Sequence, residues 1–281
     1  MSKEHAMSSP SFNSPPFSRR HTQLCPMILG DGPVPKAPAV LGLALLILAL
    51  LVSTPGPTPT AQASDCTGTE TGMLPLTDLG MGEYKGFSGG LYGGGANQPP
   101  AAHAATAMDR SAEIVPRGAT GAPDPAGAVV LLSVGMSNTT QEFSTFVRLA
   151  AGDTSLHPSL RIIDGAQGGQ TAADIRDAGA NFWRVVDQRL TAAGSTPAQV
   201  QAVWLKSANR QPGGDGNPDS LPAARQLSDD IEGVVAVLRD RFPNLGIVYL
   251  SSRIYAGYAS STLNPEPYAY ESGLAVRWLI E

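Results

Sequence analysis

Apolar and polar positions divide the 281-residue chain into three stretches of different character. Residues 37–52 read APAVLGLALLILALLV, an apolar run without a charge. Residues 64–127 show no sustained period. Their Gly-rich stretch GFSGGLYGGG, followed by NQPPAAH, fits either a linker or an ordered loop anchored by Tyr84, Phe87, Leu91 and Tyr92. From residue 128 the pattern becomes regular. The runs AVVLLSV (128–134), 160–163, VQAVWL (200–205) and IVYL (247–250) are short and rich in branched residues, as in strands buried on both faces. Between them lie helical spacings. Phe143, Phe146, Val147 and Ala150 share one stripe, and Leu227, Ile231, Val234, Val235 and Leu238 share another, stopped by Pro243. Residues 172–190 also read as helix, interrupted at Gly179 so that one helix or two fit. Strands alternating with helices predict a parallel sheet with right-handed crossovers and helices on both faces. Ligands of such sheets sit at the carboxyl ends of the strands.

The apolar run near the front is sixteen residues long, short for a bilayer core of ~30 Å but suited to a signal peptide. Arg19, Arg20 and Lys36 precede it, Pro55, Pro57 and Pro59 follow, and Ala61-Gln62-Ala63 has the small-x-small form of a cleavage site. Residues 1–63 are therefore expected to be a leader removed from a secreted or periplasmic protein. An uncleaved membrane anchor through 37–52 is the alternative. Cleavage would remove Lys3, Arg19, Arg20 and Lys36 but only Glu4 and Asp31, taking the net charge from −5 to −7.

Composition narrows the function classes. Only 15% of residues are charged, and 31 Gly with 24 Pro exclude a coiled coil. The acidic balance offers nucleic acid no basic footprint. Two cysteines, Cys25 and Cys66, make neither a disulfide framework nor a Cys-based zinc site, and no metal or cofactor is expected. The histidines are His5, His21, His103 and His157.

The loops after the strands hold the candidate chemistry. Ser137 follows the first strand directly before a helix, where backbone N–H groups and the positive dipole end favour an oxyanion. Capping of that helix by Ser137, Asn138 or Thr139 explains the same residues. Gly165, Gly168 and Gly169 follow the second strand without the spacing of a dinucleotide or phosphate loop. Asn209 follows the third strand, either as an amide donor or as a surface asparagine. Ser251, Ser252 and Arg253 follow the fourth and open a Tyr-rich loop.

Ser, Gly and Asn in this order resemble the SGNH hydrolases, the superfamily that includes GDSL esterases. The segments YKGFSGGLYGGG, LLSVGMSNTTQEF, DGAQGGQTAADI, QVQAVWLKSAN and YLSSRIYAGYASSTLNPEPYAYESG look like those of exported bacterial SGNH-like proteins. The resemblance covers residues 73–281. It implies a three-layer α/β/α, flavodoxin-like fold over 128–281, with 64–127 packed on it as an irregular segment. It also implies a serine esterase whose nucleophile is Ser137. The oxyanion hole would comprise Ser137, Gly169 (or Gly168) and Asn209. GMSN is nearer the GQSN of carbohydrate acetylesterases than the GDS form, which points to a small-molecule or carbohydrate ester as partner.

Two departures qualify the activity. The third block lacks the G-x-N-D form, and the Asp-x-x-His block that supplies the family's base has no counterpart before Glu281. The fifth strand and closing helix of the family are expected to be missing, leaving apolar surface uncovered. His157 is expected at the amino edge of the sheet, away from Ser137, and no catalytic base is assigned. A non-catalytic carbohydrate-binding or surface protein on the same scaffold is the competing function.

Overall fold

A computed structural model describes residues 73–210, 221–253 and 266–281. The leader and anchor readings, both cysteines and the Tyr-rich loop 254–265 lie outside the described residues. In chain order the elements are α1 (Leu76–Leu79), β1 (Glu83–Tyr84), β2 (Phe87–Ser88), α2 (Ala101–Ala112), β3 (Val129–Gly135), α3 (Ser137–Ala150), β4 (Leu160–Asp164), α4 (Ala172–Ile175), α5 (Asn181–Ala192), β5 (Val200–Lys206), α6 (Leu221–Arg241), β6 (Ile247–Ser251) and α7 (Tyr268–Ile280).

Strands β3 to β6 form a parallel sheet in the order β4-β3-β5-β6, so the protein is a mixed α/β fold. β3 runs through the middle. Val130, Leu132 and Val134 are wholly buried and share one core with Phe182, Trp183, Val186 and Leu190 of α5 and Leu227, Ile231, Val234 and Leu238 of α6. α3 lies on the other face, as parallel crossovers running in opposite directions from β3 require. There Phe143 stacks on Trp204 of β5, with ring centroids 5.7 Å apart. Beyond that contact the face is open among the described residues. A groove of about 450 Å³ is lined by Leu131, Phe143, Phe146, Trp204 and Tyr249, and Tyr249 is 56% exposed.

Two elements depart from the sequence pattern. α2 lies within the stretch that shows no period. Its sequence AAHAATAMDRSA is helical through alanine propensity, and none of its residues is buried, so no apolar stripe marked it. α3 begins at Ser137 itself, whereas the sequence places Ser137 just ahead of the helix. The interruption at Gly179 lies between the separate helices α4 and α5.

The β1–β2 hairpin packs on α7. Tyr84 Oη donates to Glu271 at 2.8 Å, and Lys85 Nζ pairs with the same wholly buried carboxylate at 2.9 Å. Arg277 donates to the carbonyls of Ser88 and Gly89, and Phe87 meets Trp278 edge to face. Residues 186 or more positions apart are thereby joined around polar groups that burial would otherwise disfavour.

Candidate active site

β3 and β5 converge tightly where β3 ends. A Cβ on Gly135, whose φ is 150°, would lie 1.9 Å from the Lys206 carbonyl oxygen, so only glycine permits this approach. The chain then turns through Met136, the N-cap residue, and Ser137 is the first residue of α3. No side chain caps α3, which removes the capping alternative for Ser137, Asn138 and Thr139. Thr139 Oγ1 instead donates to the Lys206 carbonyl at 2.6 Å, and Thr140 Oγ1 to the Ala166 carbonyl at 2.9 Å. These bonds tie the helix start to the ends of β5 and β4. Ser137 is exposed at the positive end of α3, and among the described residues its hydroxyl has no hydrogen-bond partner.

The loop after β4 comes up beside Ser137. A Cβ on Gly168 would stand 3.7 Å from Ser137 Cβ. Gly169 has φ +75°, a left-handed conformation suited to glycine, and its carbonyl accepts from Arg210 Nη2 at 3.0 Å. α4 starts at once behind it. Thr171 and Asp174 form a capping box, and these hydrogen bonds, with Arg210 adding less, hold the Asp174 carboxyl below the usual carboxylate range.

Asn209, after β5, is held on three sides. Its backbone N–H donates to Tyr268 Oη at 3.2 Å, its Oδ1 accepts from the Ala173 N–H at 3.0 Å, and its Nδ2 donates to Asp230 Oδ2 at 2.6 Å. Asp230 is buried in α6 and also accepts from Arg176 and from Gln226 Nε2. Burial pushes the Tyr268 phenol up to about 12, opposed in part by the Asn209 N–H and by Arg253. The side-chain amide of Asn209 is thus oriented by a buried carboxylate rather than left as a mobile surface group.

The three loops singled out in the sequence therefore meet at one edge of the sheet. Gly168, rather than Gly169, is the glycine whose position abuts Ser137. Neither described histidine hydrogen-bonds Ser137. His157 precedes β4, and its carbonyl accepts from the first residue of that strand, so it lies at the amino edge. The His103 ring packs edge to face on Tyr92, with centroids 5.9 Å apart. Asp230 escapes the sequence reading, and Tyr268 enters it only as part of the Tyr-rich segment after the fourth strand, without a role. Asp230 did carry a signal, a carboxylate on the stripe of Leu227, Ile231 and Val234 at positions i, i+3, i+4 and i+7.

Among the described residues no three His, Cys, Asp or Glu side chains are grouped to hold a metal ion, and no helix is long and apolar enough to cross a membrane. Compared with protein-family profiles and with curated proteins, the sequence matches none.

Proposed function

We propose that the protein is a serine-esterase-like hydrolase on an SGNH-type, flavodoxin-like scaffold, exported from the cell and acting on ester bonds of a small molecule or carbohydrate. The observation that carries this reading is the approach of the Gly168 position to Ser137 at the carboxyl edge that also holds Asn209. Ser137 Oγ attacks the ester carbonyl carbon, and its proton passes to solvent water, no residue being assigned as base, with water returning a proton to the leaving alkoxide. The carbonyl oxygen becomes an oxyanion that accepts from the Ser137 N–H, the Gly169 or Gly168 N–H and the Asn209 amide. Collapse of the tetrahedral species expels the alcohol and leaves an acyl-serine, which water hydrolyses. GMSN favours acetylated carbohydrate as the narrower substrate class.

The lack of a partner for the Ser137 hydroxyl among the described residues favours a second reading, a carbohydrate-binding or surface protein that keeps the scaffold without turnover. Hydrolysis of p-nitrophenyl acetate and acetylated xylan separates the two. Turnover abolished by Ser137→Ala, with the melting temperature unchanged, is expected of the esterase. Turnover that survives Ser137→Ala removes Ser137 as nucleophile. Tight glycan binding without any turnover establishes the second reading.

A further inference from the structure

A cavity of about 620 Å³ lies beside the edge strand β6, between it, α7 and the segment around α1, and Ser137 is not among its lining residues. Its wall is mainly apolar, with Leu76, Leu250, Val276 and Ile280 contributing. Arg253, the second residue after β6, also lines it. Its Nε is buried without a hydrogen-bond partner, and among the described residues its guanidinium forms no ion pair. Glu142, whose charge acts on Arg253, is instead paired with Lys206, whose Nζ donates to its two oxygens at 2.6 and 2.7 Å. Burial lowers the Arg253 pKa from its ordinary value, and the Glu142 charge only partly opposes this. A guanidinium desolvated without a counter-charge is disfavoured, and an anion in the cavity would relieve it.

We propose that this cavity is a binding site for an aliphatic monocarboxylate, with its carboxylate on the Arg253 guanidinium and its alkyl chain against Leu76, Leu250, Val276 and Ile280. One planar fork matches one planar carboxylate. Lys206 and Arg277 also line the cavity but are paired with Glu142 and Glu281, and Glu266 adds a negative charge to the wall, so a second negative charge on the ligand is disfavoured, which argues against phosphate. The volume falls in the usual range for small-molecule pockets. The site stands independently of the esterase reading, since it uses neither Ser137 nor Asn209.

Calorimetric titration of the full chain with decanoate, below its micelle concentration, tests this. Saturable one-to-one binding is expected, tightening about fourfold per added methylene from hexanoate to decanoate. Arg253→Gln is expected to weaken decanoate at least tenfold, Arg253→Lys less, and Ser137→Ala not at all. Should Arg253→Gln fail to fold, the native protein still decides the matter, because neutral decanol must bind at least tenfold more weakly than decanoate. No saturable binding, affinity independent of chain length, equal affinity for decanol, or equal affinity in folded Arg253→Gln overturns the site.

Discussion

Replacing Asp230 by alanine tests whether a buried carboxylate sets the geometry of the candidate site. Asp230 is 2% exposed and accepts from Asn209 Nδ2 at 2.6 Å, from Gln226 Nε2 at 3.1 Å and from Arg176. A hydrogen bond to a charged group contributes about 1.5–3 kcal/mol when its partners are shielded from water. The Arg176 side chain is 44% exposed and recovers water, so its share is about 0–1 kcal/mol. Asn209 is half-buried and keeps most of its share. The expected cost of Asp230→Ala is therefore about 3 kcal/mol, a fall of roughly 6–12 °C in melting temperature for a domain of this size. Urea unfolding followed through buried Trp183 measures it. A double-mutant cycle with Asn209→Ala isolates the pair, and a coupling of at least ~1 kcal/mol is expected. Strict additivity, within about 0.5 kcal/mol, would show that Asp230 does not hold Asn209 and would refute the reasoning.

Two further perturbations probe the frame around the site. Gly135→Ala places a Cβ 1.9 Å from the Lys206 carbonyl oxygen, so it should cost more than about 4 kcal/mol or prevent folding. A loss under about 1 kcal/mol in urea unfolding contradicts the close approach of β3 and β5. Glu271→Gln should lower the Tyr84 titration, because burial first, and then the hydrogen bond to Glu271 and its charge, raise that phenol above its ordinary 10.0. A phenol raised on folding stabilises the protein fully below pH 10.0 and loses that contribution as pH climbs toward the folded value. The wild type should therefore lose stability above that pH more steeply than Glu271→Gln. Identical ultraviolet titrations of the two proteins would exclude the Tyr84–Glu271 contact.

The alternation of strands and helices was legible because it is written in local period. β3, β4, β5 and β6 lie where apolar runs predict them, and a parallel sheet must carry its following loops to one edge. Ser137, Gly169 (with Gly168 as its alternative) and Asn209 could thus be marked from the sequence, each at the end of its own strand. The sequence could not choose among the roles open to them. Only the structure shows that no side chain caps α3, because Thr139 reaches across to Lys206.

What lay beyond the sequence depends on groups distant along the chain. The amide of Asn209 meets Asp230, 21 positions away, only because α6 returns across the sheet behind β5. Glu271 is a surface-type residue in composition, yet the β1–β2 hairpin closes over it and supplies Tyr84 and Lys85. Gly135 reads as an ordinary loop glycine until β5 is laid against it. The sequence by itself determined the elements and the edge of the sheet where they end, since hydrophobic period and turn residues act over a few positions. Tertiary structure alone decided which polar groups are buried, and therefore which must find partners, because burial is a property of elements brought together and not of any one of them.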